Sequence, residues 1–370
     1  YTKKCVYIST PTIEENYLTQ GERNCDARFR YYISCPLCGY EQVLTIDGLK
    51  WKKLTPDKRG NWITNDTDEE FDAFLPIGSK EAKAGTNVDT IFRTYSLGVS
   101  TNRDAVVYDF NAQKLAKRVE QFAEDYNAEL HRWQKKGQPA DVDNFVNYEK
   151  VKWSETLKRH MTEKHGADFS KDKICKSLYR PFTELDLYYD SIFVDRPSFL
   201  DEVFQTKKAR KENSVLLLPS TGGRSPFWSF ASNLIPNLNF VSIDSAQCFP
   251  LFTYSEDGKH RQDNVTPKAR TLFQIFYDDD GLTREEIFYY VYALLHHPAY
   301  RARYAENLKR DLPRIPFIGI TTGAEAACFF PLAAVETMQG DNQPAHNPKA
   351  SAKLFHSFAN AGKELAALHV

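Results

Sequence analysis

The most regular pattern of apolar and polar positions lies in residues 111–136. Apolar side chains recur there at steps of three and four, which places them along one face of a helix. They are Leu115, Val119, Phe122, Tyr126, Leu130 and Trp133. Asp109 or Asn111 can cap the start of this helix, and Gly137 can close its end. The pattern therefore predicts a long helix that buries one apolar stripe.

Short apolar runs elsewhere predict strands. Residues 105–110, 214–219, 239–244 and 248–254 are strand-like, with turn-forming residues between them. Such short strands, with helices on either side of them, are typical of a mixed fold and not of a continuous parallel sheet.

Four further segments predict helices. The first covers residues 152–165. Residues 283–286 have the spacing of a capping box, so a helix begins there and ends before Pro298. A basic helix over 299–310 and a final helix over 351–369 follow. We therefore predict an α+β fold, in which a mixed short-strand domain has flanking helices.

The cysteines mark off the beginning of the chain. Four of the seven lie within residues 1–50, which show no clear long helix. Residues 56–61 favour a turn, so we place a boundary between 49 and 60. The expected regions are a segment over 1–50, a junction and helical spacer over 51–178, and a third domain over 179–370.

Composition restricts the class of protein. The formal net charge is −1, which excludes a protein that binds nucleic acid through bulk positive charge but leaves room for a local basic face. No apolar run approaches the roughly 18 residues that a membrane span needs. The chain has no secretory signal and no initiator Met, so we expect a cytoplasmic piece of a longer protein with reduced thiols.

One motif could bind a metal. Cys35 and Cys38 form a Cys-x-x-Cys turn of the kind found in zinc knuckles. Zinc takes four ligands, and Cys5 and Cys25 lie nearby without the spacing of a second pair. Cys35 and Cys38 are therefore candidate zinc ligands, and the alternative is two free thiols.

Two other polar runs have structural explanations. His296 and His297 end an apolar helix, where we expect one ring to pack and the other to cap the helix terminus. Residues 278–280 are three consecutive Asp, which fit a solvated turn before the capping box better than a cation site.

No catalytic motif is complete. Residues 219–224 lack the Lys and the spacing of a phosphate-binding loop. The Asn/Asp-Pro-Pro-aromatic tetrapeptide of adenine-N6 methyltransferases does not occur, and neither does a glycine-rich cofactor loop. We therefore assign no catalytic residue.

From about residue 51 to the end, the chain resembles the C-terminal specificity region of type ISP restriction–modification enzymes. These are single polypeptides that join a nuclease, a helicase-like ATPase, an adenine methyltransferase and a target-recognition domain. The order of several segments carries the resemblance: LGVSTNRD at 97–104, YRPF at 179–182, LYYD at 187–190, CFPLFTY at 248–254, YYVYALLHHPAYR at 289–301, LPRIPF at 312–317 and FANAGKEL at 358–365. Relative to that family, residues 318–350 look like an insertion.

Residues 1–50 resemble a different family, the large terminase subunit of tailed phages. The segments ISTPT at 8–12 and YYISCPLCG at 31–39 carry this likeness. In that family the first segment belongs to the packaging ATPase, whose phosphate loop and later nuclease do not occur here. The chain therefore resembles a fusion of two proteins, made by recombination or by assembly of sequence data.

The resemblance implies DNA contacts of two kinds. Phosphates are held by Arg, Lys and backbone donors, whereas bidentate side chains read base edges. The candidates for phosphate contact are Lys207, Lys208, Arg210 and Lys211 in a basic run, together with Lys259 and Arg261 beside a hairpin-like turn. The alternative for the run is a solvated loop.

Base reading has its own candidates. Asn102 and Arg103 are of the residue types that pair bidentately with adenine and guanine, although a structural turn at the methyltransferase junction explains them equally well. Arg180 is a further candidate for DNA contact. A basic face formed by Arg301, Arg303, Lys309 and Arg310 is more readily explained as structural.

The resemblance implies a function. The chain would recognise the DNA sequence that a parent phage-defence enzyme methylates and cuts, with double-stranded DNA and the methyltransferase and motor domains as partners. S-adenosylmethionine and ATP with Mg²⁺ would serve the parent, and no cofactor would bind this fragment. The alternatives are a terminase-derived DNA-packaging fragment and a non-catalytic protein-binding scaffold.

Overall fold

The computed structural model describes residues 68–86, 89–195, 202–204, 206–255, 260–321, 327–337 and 346–369, together with two short strands near the beginning of the chain. The chain divides into two compact units, Tyr1–Thr64 and Asn65–Val370.

The described part of the first unit is one strand pair. Strand β1 (Tyr32–Ser34) runs antiparallel to β2 (Glu41–Val43), with Tyr32 opposite Val43. The candidate zinc ligands Cys35 and Cys38 lie outside the described residues.

The second unit begins with short elements and continues with helices. The short elements are α1 (Asp68–Asp72), β3 (Leu75–Pro76), α2 (Lys80–Lys83), β4 (Ser96–Leu97), α3 (Asp104–Val107) and β5 (Tyr108–Asp109). The helices that follow are α4 (Ala112–Lys135), α5 (Val142–Phe145), α6 (Glu155–Thr162) and a 3₁₀ turn at Lys171–Lys173.

Strands dominate the middle of the chain. They are β6 (Ile174–Arg180), β7 (Thr183–Tyr188), β8 (Val215–Pro219), β9 (Phe230–Ser232), β10 (Ile235–Pro236), β11 (Ala246–Pro250), β12 (Phe252–Tyr254) and β13 (Arg261–Asp263), with helix α7 (Lys207–Glu212) before β8.

Helices dominate the end of the chain. They are α8 (Pro267–Tyr277), α9 (Arg284–His296), α10 (Pro298–Arg303), α11 (Ala305–Arg310), α12 (Leu332–Thr337) and α13 (Pro348–His369). Strands β14 (Arg314–Ile315), β15 (Phe317–Ile320) and β16 (Ala327–Phe330) lie among them. Within the described ranges, none of the helices combines the length and the apolarity that crossing a bilayer requires.

Two four-stranded sheets organise the second unit. The first has the order β10-β6-β7-β5, and the second has the order β4-β11-β8-β9. Within them, β10 pairs parallel with β6, and the other neighbouring strands pair antiparallel.

The second sheet separates two hydrophobic cores. Along β8, Leu216 and Leu218 join the core formed by the C-terminal helices, whereas Val215 and Leu217 join the core around α4. Successive side chains of a strand point to opposite faces, so a continuous apolar run can serve two cores at once. This alternation explains why β8 has no polar position before Pro219.

Helix α13 crosses α9 at very close range. A Cβ added to Gly362 would collide with the backbone carbonyl oxygen of Tyr289 and would lie 3.2 Å from the Cβ of Ala293. Glycine therefore sets the distance between these two helices, because a side chain at that position would hold their backbones apart.

The predicted α+β class is confirmed, and so is the long amphipathic helix, which runs from Ala112 to Lys135. Asn111 caps it by accepting hydrogen bonds from the amides of Gln113 and Lys114. The capping box at Thr283 and Glu286 is also present at the start of α9.

Three expectations about secondary structure were wrong. Residues 239–244 form no strand, because the Ser242 hydroxyl accepts from the Asp244 amide and so bends the backbone. The basic helix is broken at Tyr304, whose ring packs against Phe71 and Phe74. Residues 105–110 begin in helix α3 and contribute only the two-residue strand β5.

Candidate nucleic-acid interface

Arg103 is fully buried, and its guanidinium is held by three internal acceptors. It donates to the carbonyl oxygen of Phe193 at 2.5 Å, to the Ser154 hydroxyl at 2.6 Å and to the carbonyl oxygen of Lys152 at 3.4 Å. Burial lowers the pKa of Arg103 to about 10, and the nearby Asp195 carboxylate opposes that shift. The group remains a cation at neutral pH.

This placement corrects the prediction that Arg103 reads a base. As the chain is folded, its donors all point inward, toward the segment that enters α6 and toward the loop after β7. The structural alternative, a turn that holds a junction together, is the one that the geometry supports.

Asn102 is exposed and adopts a left-handed backbone conformation, with φ of 52°. Its amide nitrogen donates to a carboxylate oxygen of Asp195 at 2.7 Å, which fixes the side chain. Left-handed geometry suits Asn better than most other residues, so the turn and the choice of residue agree. Asn102 also lines a polar cavity.

That cavity measures about 350 Å³ and is lined by residues 99–102, Asp104, Ala105, Lys152 and residues 237–239. Asp104 is held at its edge, where its carboxylate accepts from the Thr101 hydroxyl and from the Tyr179 hydroxyl. The cavity therefore offers amide, hydroxyl and carbonyl groups, with one Lys and one Asp, to whatever enters it.

Arg180 is half-buried beside this cavity. Its guanidinium lies 4.0 Å from the centre of the Tyr179 ring and donates to the side-chain oxygen of Asn237 at 3.1 Å. These contacts hold the β6–β7 hairpin against the loop after β10. Arg180 therefore positions the wall of the cavity.

The basic run at 207–211 is helical, which corrects the expectation of a polar loop. The Thr206 hydroxyl caps the helix by accepting from the Ala209 amide, and Ala209 is buried. The Nε of Arg210 donates to the carbonyl oxygen of Phe204 at 2.9 Å. The helix thus buries Ala209 against the core, and the Arg210 guanidinium is tied to the backbone of the preceding loop.

The remaining cations of this group are exposed. Lys208 lies 3.9 Å from the Glu212 carboxylate, and Lys211 is also on the surface. The side chain of Lys207 and the whole of Lys259 lie outside the described residues. Arg261 is exposed on β13, where its guanidinium lies 4.2 Å from the centre of the Phe252 ring.

The broken basic helix divides its cations into two groups. Arg303 donates from two nitrogens to one carboxylate oxygen of Glu70, at 2.7 and 3.0 Å, and Arg310 donates to Asp68 at 2.6 Å. These two ion pairs tie α10 and α11 to α1. Arg301 and Lys309 instead face a second pocket.

This basic pocket is lined by residues 224–227, Arg301, Ala305, Glu306 and Lys309, and measures about 370 Å³. Arg301 donates to the carbonyl oxygen of Phe227 and lies 5.7 Å from the centre of its ring. Among the described residues, the side chains of Arg224 and Lys309 make no ion pair. Glu306 is the one acidic residue in this lining, so cations outnumber anions in the pocket.

Backbone contacts hold Arg224 in place. The Asp244 carboxylate accepts from the amide of Arg224 at 2.9 Å and from that of Ser225 at 3.3 Å. These hydrogen bonds hold the pKa of the Asp244 carboxyl below its usual value, and the bond from the Arg224 amide has the largest effect. The Gly222 amide, at φ of 74°, donates to the carbonyl oxygen of Lys309 at 2.9 Å. The loop is thereby fixed to α11.

Sequence reasoning did not select Arg224. The sequence feature that could have indicated it is a Gly-Gly turn followed directly by Arg. That segment was compared only with a phosphate-binding loop, whose spacing it lacks. What could not be foreseen was that Asp244, twenty residues later, would fix the backbone of that turn beside α10 and α11.

The other polar runs have structural partners. His296 accepts from or donates to the Ser229 hydroxyl at 2.8 Å, and His297 lies where α9 ends and α10 begins. Asp278 closes α8 in a left-handed conformation. A carboxylate oxygen of Asp279 is hydrogen-bonded to the Nε2 of His356 at 2.9 Å, which helps to hold this turn.

The sequence model of the Type ISP C-terminal specificity domain matches residues 90–370. The chain belongs to this family. The match confirms the predicted family over residues 90–370, and it begins later than the start expected at about residue 51. A second model, that of the ATPase domain of the phage terminase large subunit gpA, matches residues 1–69, which include and extend beyond the segment 1–50 predicted to resemble a terminase.

Solved structures agree with this assignment. A cryo-EM structure of a DrdV–DNA complex matches 88% of this chain at 30% identity, with a TM-score of 0.67. A nuclease-deletion mutant of the Type ISP restriction–modification enzyme LlaGI, in complex with a DNA substrate mimic, matches 87% of it at 24% identity and a TM-score of 0.63. The ATP-dependent Type ISP enzyme LlaBIII, bound to DNA, matches 86% of it at 20% identity and a TM-score of 0.62.

The specificity domain is a small part of such proteins. This chain spans 28% of the DrdV chain, 21% of the LlaGI chain and 18% of the LlaBIII chain. No curated protein matches the sequence.

Proposed function

We propose that this chain recognises a DNA sequence on behalf of a longer restriction–modification enzyme, and that the basic pocket holds the DNA backbone. One observation carries the proposal. Arg224 and Lys309, neither of them in an ion pair among the described residues, converge with Arg301 on one pocket. They do so in a fold shared with DrdV, whose matching structure is a complex with DNA.

The chemistry of the pocket suits a phosphate. Phosphate groups are bound by Arg and Lys with help from backbone donors, and these contacts position a protein without reading sequence. Arg301 is already anchored to the Phe227 carbonyl, so it is pre-ordered for a second contact. Lys208, Lys211 and Arg261 remain proposed phosphate contacts because they are exposed, and Lys207 and Lys259 remain proposed from the sequence.

Sequence choice then belongs to the polar cavity. Asn102 is the proposed base reader, because it is exposed, lines the polar cavity and has its amide nitrogen held by Asp195. A single carbonyl oxygen accepts from the amino group of adenine or cytosine in the major groove. Arg103 and Arg180 support this arrangement from behind and are not proposed to touch DNA.

The experiment uses fluorescence anisotropy of the full chain at several salt concentrations, with duplexes selected from a random pool and scrambled controls. The double variant Arg224→Ala with Lys309→Ala should weaken binding to both kinds of duplex alike. Each lost phosphate contact should reduce the salt slope by roughly 0.9. The matched control is Arg303→Ala on the same helical segment, which removes a cation already bound by Glu70 and should change neither quantity.

Two results would overturn the proposal. An unchanged salt slope in the double variant would exclude the basic pocket as a phosphate site, and so would an equal change in the Arg303→Ala control. Absence of binding to any duplex would favour the protein-binding scaffold.

A separate variant tests base reading. Asn102→Gly keeps the left-handed backbone geometry and removes the side chain. It should lower the preference for selected over scrambled duplexes and leave the salt slope unchanged. An unchanged preference would reduce the Asn102 turn to a structural role.

The chemical steps belong to other domains in this proposal. An adenine methyltransferase with S-adenosylmethionine and a motor with ATP and Mg²⁺ would act on the DNA that this chain selects. These domains would also be its protein partners. Zinc at Cys35 and Cys38 remains a proposal from the sequence.

A further inference from the structure

The end of helix α6 brings two imidazole rings and a carboxylate together on the surface, away from both pockets. The Nδ1 atoms of His160 and His165 are 3.2 Å apart. A carboxylate oxygen of Glu163 lies 3.5 Å from His165 Nδ1 and 3.9 Å from His160 Nδ1. These three atoms form a compact triangle of potential metal ligands.

The dimensions of the triangle fit a tetrahedral ion. Ligand atoms at about 2.0–2.1 Å from a tetrahedral Zn²⁺ stand about 3.3–3.4 Å from one another. The observed separations of 3.2 to 3.9 Å therefore need only a few tenths of an ångström of adjustment. Imidazole and carboxylate together suit Zn²⁺ and similar first-row ions, whereas Mg²⁺ and Ca²⁺ prefer oxygen ligands alone.

A Schellman motif at the C-terminus of α6 brings the two histidines together. Lys164 adopts φ of 64°, its amide donates to the carbonyl oxygen of Met161 at 3.0 Å, and the His165 amide donates to that of His160 at 2.9 Å. In this ending the third residue from the end of the helix meets the second residue beyond the cap, and an apolar contact usually joins them. Here those two positions are both His.

Contacts with α4 hold the backbone around His165 in place. The Tyr126 hydroxyl donates to the carbonyl oxygen of His165 at 2.8 Å, and the Asn127 side chain bonds both backbone groups of Ala167 at 2.8 and 2.9 Å. These contacts clamp the turn to α4. The ligand atoms are therefore placed by rigid elements, as a metal site requires.

Apart from the two histidines, the Glu163 carboxylate has one ion-pair partner among the described residues. Arg159 competes weakly for Glu163, since its Nε lies 3.9 Å from the other carboxylate oxygen.

We propose that His160, Glu163 and His165 form a binding site for Zn²⁺ or a similar divalent ion. The two ring nitrogens and one carboxylate oxygen supply three ligands, and the fourth position is left to water or to a group from outside. Bound metal joins the end of α6 to the turn that α4 holds. The site is independent of the proposed DNA contacts.

The test measures Zn²⁺ binding by competition with a chromogenic chelator, in the full chain carrying Cys35→Ser and Cys38→Ser so that those thiols contribute nothing. His165→Ala in this background should lose one equivalent of bound Zn²⁺ or at least about 100-fold in affinity, since even an outer-shell change costs about 10- to 100-fold. His131→Ala, an exposed histidine on α4, is the matched control and should lose nothing.

A second readout separates ligation from folding. Zn²⁺ should raise the melting temperature of the background protein and leave that of His165→Ala unchanged, whereas Mg²⁺ should affect neither. The variant His165→Cys, which restores a ligand, should recover Zn²⁺ binding. Equal Zn²⁺ stoichiometry in the background and in His165→Ala, or equal losses in His165→Ala and His131→Ala, would show that the two rings form only a hydrogen bond.

Discussion

Arg103 donates a 2.5 Å hydrogen bond to the carbonyl oxygen of Phe193, a residue ninety positions further along the chain. The same guanidinium reaches the Ser154 hydroxyl at 2.6 Å, so one side chain joins the turn before α3, the start of α6 and the loop after β7. A cation in this position acts as an internal connector.

We expect Arg103→Ala to destabilise the protein by at least about 1–3 kcal/mol, because it leaves the Phe193 carbonyl oxygen and the Ser154 hydroxyl without this donor. Arg103→Lys should also destabilise it, since an ammonium group lacks the planar fork that reaches three acceptors. Urea unfolding at neutral pH measures both.

Arg224→Ala is the control for Arg103→Ala. It removes an exposed guanidinium and should change stability by no more than about 0.5 kcal/mol. The reverse order of effects, with Arg224→Ala the more damaging, would contradict the roles assigned to these two residues.

Gly362 provides the second prediction. Substitution by Ala usually stabilises a helix by up to about 1 kcal/mol, but here the new methyl group would strike the Tyr289 carbonyl oxygen. We expect Gly362→Ala to lower stability by at least about 2 kcal/mol, because α9 and α13 must separate to admit it.

Gly166→Ala is the matched control for Gly362→Ala. Its added Cβ would meet nothing closer than 3.6 Å, the side-chain oxygen of Asn127. Thermal melts of the two variants should therefore differ clearly. Similar melting temperatures would mean that the helices adjust their separation at little cost.

The environment of His296 predicts that the stability of the fold depends on pH. The pKa of His296 is lowered to about 4, mainly by burial and to a smaller extent by the nearby Arg301 and His369. In the unfolded chain the ring titrates near 6.5. As pH falls, the unfolded chain therefore takes up this proton first. The stability that the neutral ring contributes is complete above pH 6.5 and is lost between about 6.5 and 4.

The variant His296→Gln cannot take up that proton. Its stability should lie below that of the wild type at pH 7.5, and the gap should narrow by pH 5, because only the wild type loses this contribution. Urea unfolding at both pH values measures the gap, with the exposed His131→Gln as control. A gap that stays constant would exclude His296 as the titrating group.

Local signals predicted the helices well where a stripe and a cap coincided. The stripe from Leu115 to Trp133 and the cap at Asn111 are sufficient to define α4, since both act within a few turns. The strand predicted at 239–244 is absent because a local interaction also decided the backbone there. There the local preference of Ser242 and Asp244 for bending the backbone outweighed the apolar residues of the segment.

The site was less predictable from sequence. A run such as 207–211 shows that cations are close in the chain, but not that Arg210 bonds the Phe204 carbonyl oxygen or that Lys208 lies near Glu212. Arg301 and Arg303 stand two residues apart, yet one faces the basic pocket and the other is bound by Glu70. Which cation is free depends on carboxylates more than two hundred residues away.

The sequence by itself determined the family, the α+β class and the principal helices, because ordered motifs, periodicity and caps are local properties of the chain. The tertiary structure alone decided that Arg103 is an internal connector and that Arg224 and Lys309 share a pocket. Burial and the distance between remote side chains make those decisions, and both arise only when the chain has folded.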